Sequence, residues 1–162
     1  PQVPQRLLTH YALKFIEAEF YLTKVAAGDP RAALEEAIWA SFSKVNEIAG
    51  SVGSPLIEDA DIADYVDAVL ADYDADDTGK LEHIMTQKWI ASFGWGADLY
   101  TDYRRTGFPV LHDANTDDLS FTIRNREFPN SFPWPTANLQ VNGNAPAQKN
   151  VTSEDAKPFW MN

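Results

Sequence analysis

Over residues 5–27 the apolar positions Leu8, Tyr11, Phe15, Ala18, Leu22 and Val25 recur every three or four residues. That spacing lines up one face of a helix and predicts a helix with a buried stripe. Gly28-Asp29-Pro30 interrupts it. Asp29 has the short acceptor side chain that caps a following helix, and Pro30 suits the first helical position. The period then resumes through Leu34, Ile38, Phe42, Val45 and Ile48 and stops at Gly50. Two amphipathic helices joined by a tight turn predict an antiparallel hairpin.

After a loop at "SVGSPL", Ile62, Tyr65, Val66, Val69, Leu70 and Tyr73 mark a third helix. A fourth is expected from Gly79 or Lys80 to about Tyr103, with Leu81, Ile84, Met85, Phe93, Ala97 and Tyr100 on its apolar face and Trp89 and Phe93 read as core. Beyond Thr106 the periodicity ends, and roughly 55 residues rich in Pro, Asn, Asp and aromatics follow, longer than an ordinary loop. Phe108, Phe121, Phe128, Phe132, Trp134, Phe159 and Trp160 make this tail too apolar for a solvated linker. It is therefore expected to wrap over the helices, with "SFTI" pairing locally. The small residues of "AEFYLTKVAAGDPRAALEEAIWASF" resemble a tetratricopeptide unit, although no second clear copy follows and one unit cannot bury its own face. The expected fold is all-α: tetratricopeptide-like helical hairpins over 1–106 and an irregular tail over 107–162, in one domain.

Composition narrows the function classes. The net charge of −11 over 162 residues argues against nucleic acid, which requires clustered Lys and Arg. Without cysteine the chain holds no disulfide, thiolate metal site, Cys nucleophile or lipid-accepting Cys. No apolar run approaches the ~18 residues of a membrane span, and "PQVPQRLL" resembles neither a signal peptide nor an anchor. The expectation is either a cytosolic protein or one whose N-terminal part has been removed. Opening directly on a helix and ending in a long tail favours a fragment.

"DADDTGKLEHIM" begins like a calcium-binding EF-hand loop, with Asp74, Asp76, Thr78 and Gly79 at positions one, three, five and six. Position twelve, the bidentate glutamate of a working loop, is Met85. The expected reading is a solvated turn in which Asp76, Asp77 or Thr78 caps the next helix, with no metal bound. His10, His83 and His112 lack metal-ligand spacing. Asp98 and Asp102, four apart on one helix, cannot face each other across a sugar as a glycosidase pair must, and no nucleophile-elbow motif is present. No cofactor is implied.

"LEHIMTQKWIASFGWGADLYTDYRRTGFPVL", residues 81–111, resembles the C-terminal part of the SusD/RagB family of nutrient-binding outer-membrane lipoproteins. Gln87, Lys88, Trp89, Ala91, Phe93, Gly96, Asp102, Arg104, Arg105, Thr106, Gly107 and Pro109 match its helix motif. The hairpin "FIEAEFYL…GDPRAALEEAIWASF" and the tail "NREFPNSFPWPTANLQVNGNAP", with Trp134-Pro135 and Asn142, match in the same order. Tyr100 replaces the family's Trp, Ala97-Asp98 its Glu-Ala, and Asn138 sits near its Glu. The resemblance implies a surface-exposed lipoprotein of the cell outer membrane, anchored through an N-terminal Cys that lies outside this chain. It implies capture of an oligosaccharide or another nutrient, a SusC-like TonB-dependent transporter as partner, and no catalysis. A protein-interaction scaffold without a small ligand is the alternative.

Sugar recognition calls for flat aromatic faces with polar neighbours. On chemistry alone the candidates are Trp39, Tyr65, Tyr73, Trp95 and Trp134, with Trp160 behind them. Arg104 and Arg105 are expected to be structural, bonding tail carbonyls or pairing with Asp98 or Asp102.

Overall fold

The computed structural model describes residues 7–111 and 129–161. They form α1 (His10–Leu22), α2 (Pro30–Ser51), α3 (Asp59–Ala75), α4 (Lys80–Ala91), α5 (Gly96–Thr106) and α6 (Thr136–Val141), with a 3₁₀ turn at Glu154–Ala156 and no strand among the described residues. The all-α expectation holds; "SFTI" and His112 lie outside the described residues. The chain divides into two compact units, Pro1–Tyr100 and Thr101–Asn162, the boundary falling within α5.

In the first unit, α1 packs along α2 as the expected hairpin, and α3 and α4 complete the bundle against them. Thr9 caps α1 by accepting from the Ala12 amide at 3.2 Å. Asp29 caps α2 by accepting from the Arg31 and Ala32 amides at 2.9 and 3.3 Å, with Pro30 at the first helical position. The first helix is shorter than its apolar stripe suggested. At its start Leu8 precedes the Thr9 cap, and at its end Lys24 turns the chain out with a left-handed φ of 60° while the Val25 amide closes back on the Phe20 carbonyl at 2.9 Å, so Leu8 and Val25 fall outside the helix and are exposed. Such a wide closing bond satisfies a carbonyl that the helix end would leave open.

The core takes Tyr11, Phe15 and Ala18 from α1, Ala33, Leu34, Ala37 and Ile38 from α2, Ile62, Val66, Leu70 and Tyr73 from α3, and Ile84 and Met85 from α4. Alanine at positions 18, 33 and 37 lets helices approach closely. Phe15, Leu34, Ile38, Val66, Ile84 and Met85 are the largest fully buried side chains, and each contributes about 1.5–3 kcal/mol through burial. The α2 stripe is buried only to Ile38; Phe42 is half-buried and Val45 exposed. Asn46 holds the α2–α3 loop, its side-chain amide donating to the Ile57 carbonyl and accepting from the Ile57 amide, both at 2.9 Å.

The expected single helix to Tyr103 is two helices. Gly94 has φ of 86°, a left-handed value that costs glycine little, and the Trp95 amide returns to the Ser92 carbonyl at 2.9 Å. This break removes Phe93 from the core stripe: its side chain is 91% exposed, and Trp89 is 40% exposed. Both were read as core from their spacing; for Phe93 that reading assumed an unbroken helix, whereas Trp89 lies inside α4 but is not among its buried residues Ile84, Met85 and Lys88.

The turn before α4 is built by one carboxylate. Asp76 Oδ1 accepts from the Gly79 amide at 2.8 Å, the Thr78 hydroxyl at 3.0 Å and the Thr78 amide at 3.1 Å. These bonds, the Gly79 amide foremost, hold the Asp76 carboxyl below its ordinary range. Because its folded pKa is depressed, its stabilising effect is present above the unfolded value near 3.9 and is lost as pH falls through the folded value. Asp76→Asn, which keeps the acceptor oxygen, is expected to reduce the fall in Tm between pH 5 and pH 2; Asp76→Ala is expected to lower Tm at neutral pH as well. Thermal melts across that range check both.

The second unit is ordered by side chains bonding to backbone. Gly107, at φ of 78°, ends α5 with its amide on the Tyr103 carbonyl at 2.7 Å. Asn130 is 8% exposed. Its backbone amide donates to the Val151 carbonyl at 2.8 Å, and its side-chain amide donates to the Thr152 and Ser153 carbonyls at 3.2 and 3.1 Å. Gln148 clamps Trp134, accepting from its amide at 2.8 Å and donating to its carbonyl at 2.9 Å.

Candidate ligand-binding surfaces

Four of the five aromatic candidates belong to the first unit and Trp134 to the second. Trp39 is half-buried on α2. Tyr65, on α3, is half-buried, meets Phe42 edge-on at 5.5 Å and donates its hydroxyl to Gln87 Oε1 at 2.8 Å. Tyr73 is only 2% exposed, so it offers no ring face to a sugar in this conformation. It packs edge-on against His83 at 6.4 Å, lies under the Lys80 ammonium at 5.4 Å, and burial pushes its phenol up. Trp95 lies in the α4–α5 link, half-buried, its indole N–H on Asp98 Oδ2 at 2.7 Å. Trp134 belongs to the second unit, is 42% exposed, and carries the Lys149 ammonium over its ring at 4.8 Å. Trp160 is stacked by the Arg104 guanidinium at 4.7 Å.

Arg104 and Arg105 have the structural partners expected of them. Arg104 Nη1 donates to the Asn130 carbonyl at 3.1 Å and Arg105 Nη2 to Asp102 Oδ1 at 3.0 Å. Both pairs lie within the second unit. No group of three or more His, Asp or Glu among the described residues is arranged to hold a metal, and no described helix is long and apolar enough to cross a membrane.

The first unit has an apolar concavity among the described residues. A cleft of about 200 Å³ opens between α1, α2, α3 and α4, floored by Phe15 and Ile38 and walled by Phe42, Val45, Tyr65, Ile90 and Phe93. The Tyr65–Gln87 hydrogen bond forms its polar corner. Of the sequence candidates only Tyr65 reaches it. Phe42 and Phe93 were assigned to the core instead, and Gln148 and Lys149, which frame Trp134, carried no sequence signal beyond being polar.

The all-helical order and the anchored arginines agree with the sequence resemblance. The sequence profile of a SusD-like family, described as starch-binding and associating with the outer membrane, matches residues 1–135. This chain belongs to the SusD-like family. The SusD-like chain is also similar to the crystal structure of a SusD homologue from Bacteroides fragilis NCTC 9343, with 26% identity and a TM-score of 0.58 over 82% of this chain. The match covers 29% of that homologue, so the SusD-like chain spans less than a third of its length. No curated protein matches it.

Proposed function

We propose that this chain is part of an outer-membrane protein that binds oligosaccharides and passes them to a SusC-like TonB-dependent transporter, without turnover. The observation that carries this reading is the match over residues 1–135 to a family described as starch-binding and associating with the outer membrane. On this reading the lipid anchor belongs to residues outside these 162, since they contain no cysteine. Trp134 is the foremost candidate for contact with sugar: the Gln148 clamp fixes its backbone, so little ordering entropy is left to lose on binding. Trp39, Tyr65 and Trp95, each half-buried, are secondary; Tyr73, buried, is set aside.

Calorimetric titration of the full-length protein with maltooligosaccharides and a panel of neutral and acidic glycans tests the reading. Binding to at least one glycan is expected, with Trp134→Ala weakening it about tenfold, equivalent to about 1.4 kcal/mol. A null result across the panel with transporter binding retained would favour a protein-interaction scaffold.

A further inference from the structure

We propose that Trp134 and Lys149 together form a subsite for an anionic saccharide, the sugar stacking on the indole while the Lys149 ammonium takes its carboxylate or sulfate oxygens. The inference rests on the binding function proposed above and adds the charge of the ligand. Three observations carry it. The first is that one side chain positions both ring and cation. Gln148 Oε1 accepts from the Trp134 amide at 2.8 Å and from the Lys149 amide at 3.2 Å, while its Nε2 donates to the Trp134 carbonyl at 2.9 Å. Pro135 further disfavours the helical region for Trp134, so the two backbone segments are held together before any ligand arrives. The second is the state of the ammonium. Lys14, Arg31, Lys44, Lys80 and Lys157 each meet a carboxylate at 3.0 Å or less. Half-buried Lys149 is paired with none among the described residues, although the chain carries a net charge of −11. Its charge rests instead on the indole face, 4.8 Å from the ring centroid. The third is that Trp134 remains 42% exposed, so a ligand can reach it. A neutral sugar must share the ring with the ammonium or displace it and give up the cation–π attraction. An acidic sugar stacks beside the ammonium and gains a charge-assisted hydrogen bond from it. Starch, the ligand in the family's description, is a neutral glucan and makes no use of that charge.

Calorimetric titration of the full-length protein with uronate oligosaccharides against their methyl esters, and with sulfated oligosaccharides against their desulfated forms, tests this. Each pair shares its rings and differs in charge. The charged member of at least one pair is expected to bind about threefold to fivefold tighter at low salt, the upper part of the range for an exposed ion pair. The gap should close toward roughly 1 M salt, where screening is strong. A preference within the uronate pairs assigns a carboxylate ligand, and one within the sulfated pairs a sulfate. Lys149→Gln is expected to abolish the preference and Lys149→Arg to keep it. Lys157→Gln, which removes a cation already paired with Glu154 in the same unit, should keep it as well. Equal affinity within every pair, with neutral glycans bound, overturns this proposal and leaves the binding function standing. A preference that survives Lys149→Gln also overturns it, because the anion then sits elsewhere. Binding to no glycan at all removes the binding function and this subsite with it.

Discussion

Phe15→Ala is expected to lower folding stability by about 3 kcal/mol, the lower end of the range of about 3–5 kcal/mol for truncating a buried Phe. Phe15 is 1% exposed and sits where α1 meets α2 and α4, so its removal deletes both transfer free energy and contacts across helices. The expectation falls at the lower end because Phe15 also floors the cleft. The void left by truncation would join an opening that water can enter, which relieves part of the cavity penalty that a sealed core imposes. Against a typical total of about 5–15 kcal/mol, the loss is large. Urea unfolding should show a lowered midpoint with an unchanged slope, and a loss under about 1 kcal/mol would show that the helices close over the gap.

Asn130→Asp is expected to be the most damaging single change in the second unit. The Asn130 side chain donates two hydrogen bonds to the Thr152 and Ser153 carbonyls. A carboxylate in its place presents oxygen to oxygen, leaving acceptors unpaired and a charge in a site only 8% exposed. Leaving a buried polar group unsatisfied costs about 1–3 kcal/mol, and more when charged, so a loss of about 3 kcal/mol is expected at neutral pH. The repulsion raises the introduced carboxyl's pKa above its unfolded value. The variant therefore recovers as pH falls toward that value and loses stability as pH rises through the folded pKa. Asn130→Ala, which removes the donors without adding charge, should cost less and show no such recovery. Thermal melts of the three proteins between pH 4 and pH 8 separate the effects, and parallel curves for the two variants would refute the electrostatic account.

The first three helices were legible because their apolar residues keep the helical period, and at the second a short polar cap marks the start: Asp29 and Pro30 act as their chemistry dictates. Past that point the period misled. In "WIASFGWGADLY" the apolar spacing continues while Gly94 turns the chain, so Phe93 was assigned to a core it does not enter. The pair of glycines at 94 and 96 was the available signal, since glycine inside a helical pattern lowers confidence in continuity. Tyr73 shows the converse limit. Chemistry made it a sugar platform, but its place on the stripe with Ile62, Val66 and Leu70 buried it. The order of the second unit was not readable from periodicity at all, because Asn130, Gln148 and Arg104 bond to carbonyls and amides far along the chain, and no spacing rule encodes such pairs.

Asn46, Asn130 and Gln148 hold their loops with uncharged carboxamides that bond to backbone. Such groups do not titrate, and dissolved salt does not screen them as it screens exposed ion pairs. A surface segment fastened this way keeps its shape through swings of acidity and salinity. Its vulnerability is slow instead: hydrolysis of a fastening amide to a carboxylate, which makes Asn and Gln thermolabile, would unlatch it as the protein ages.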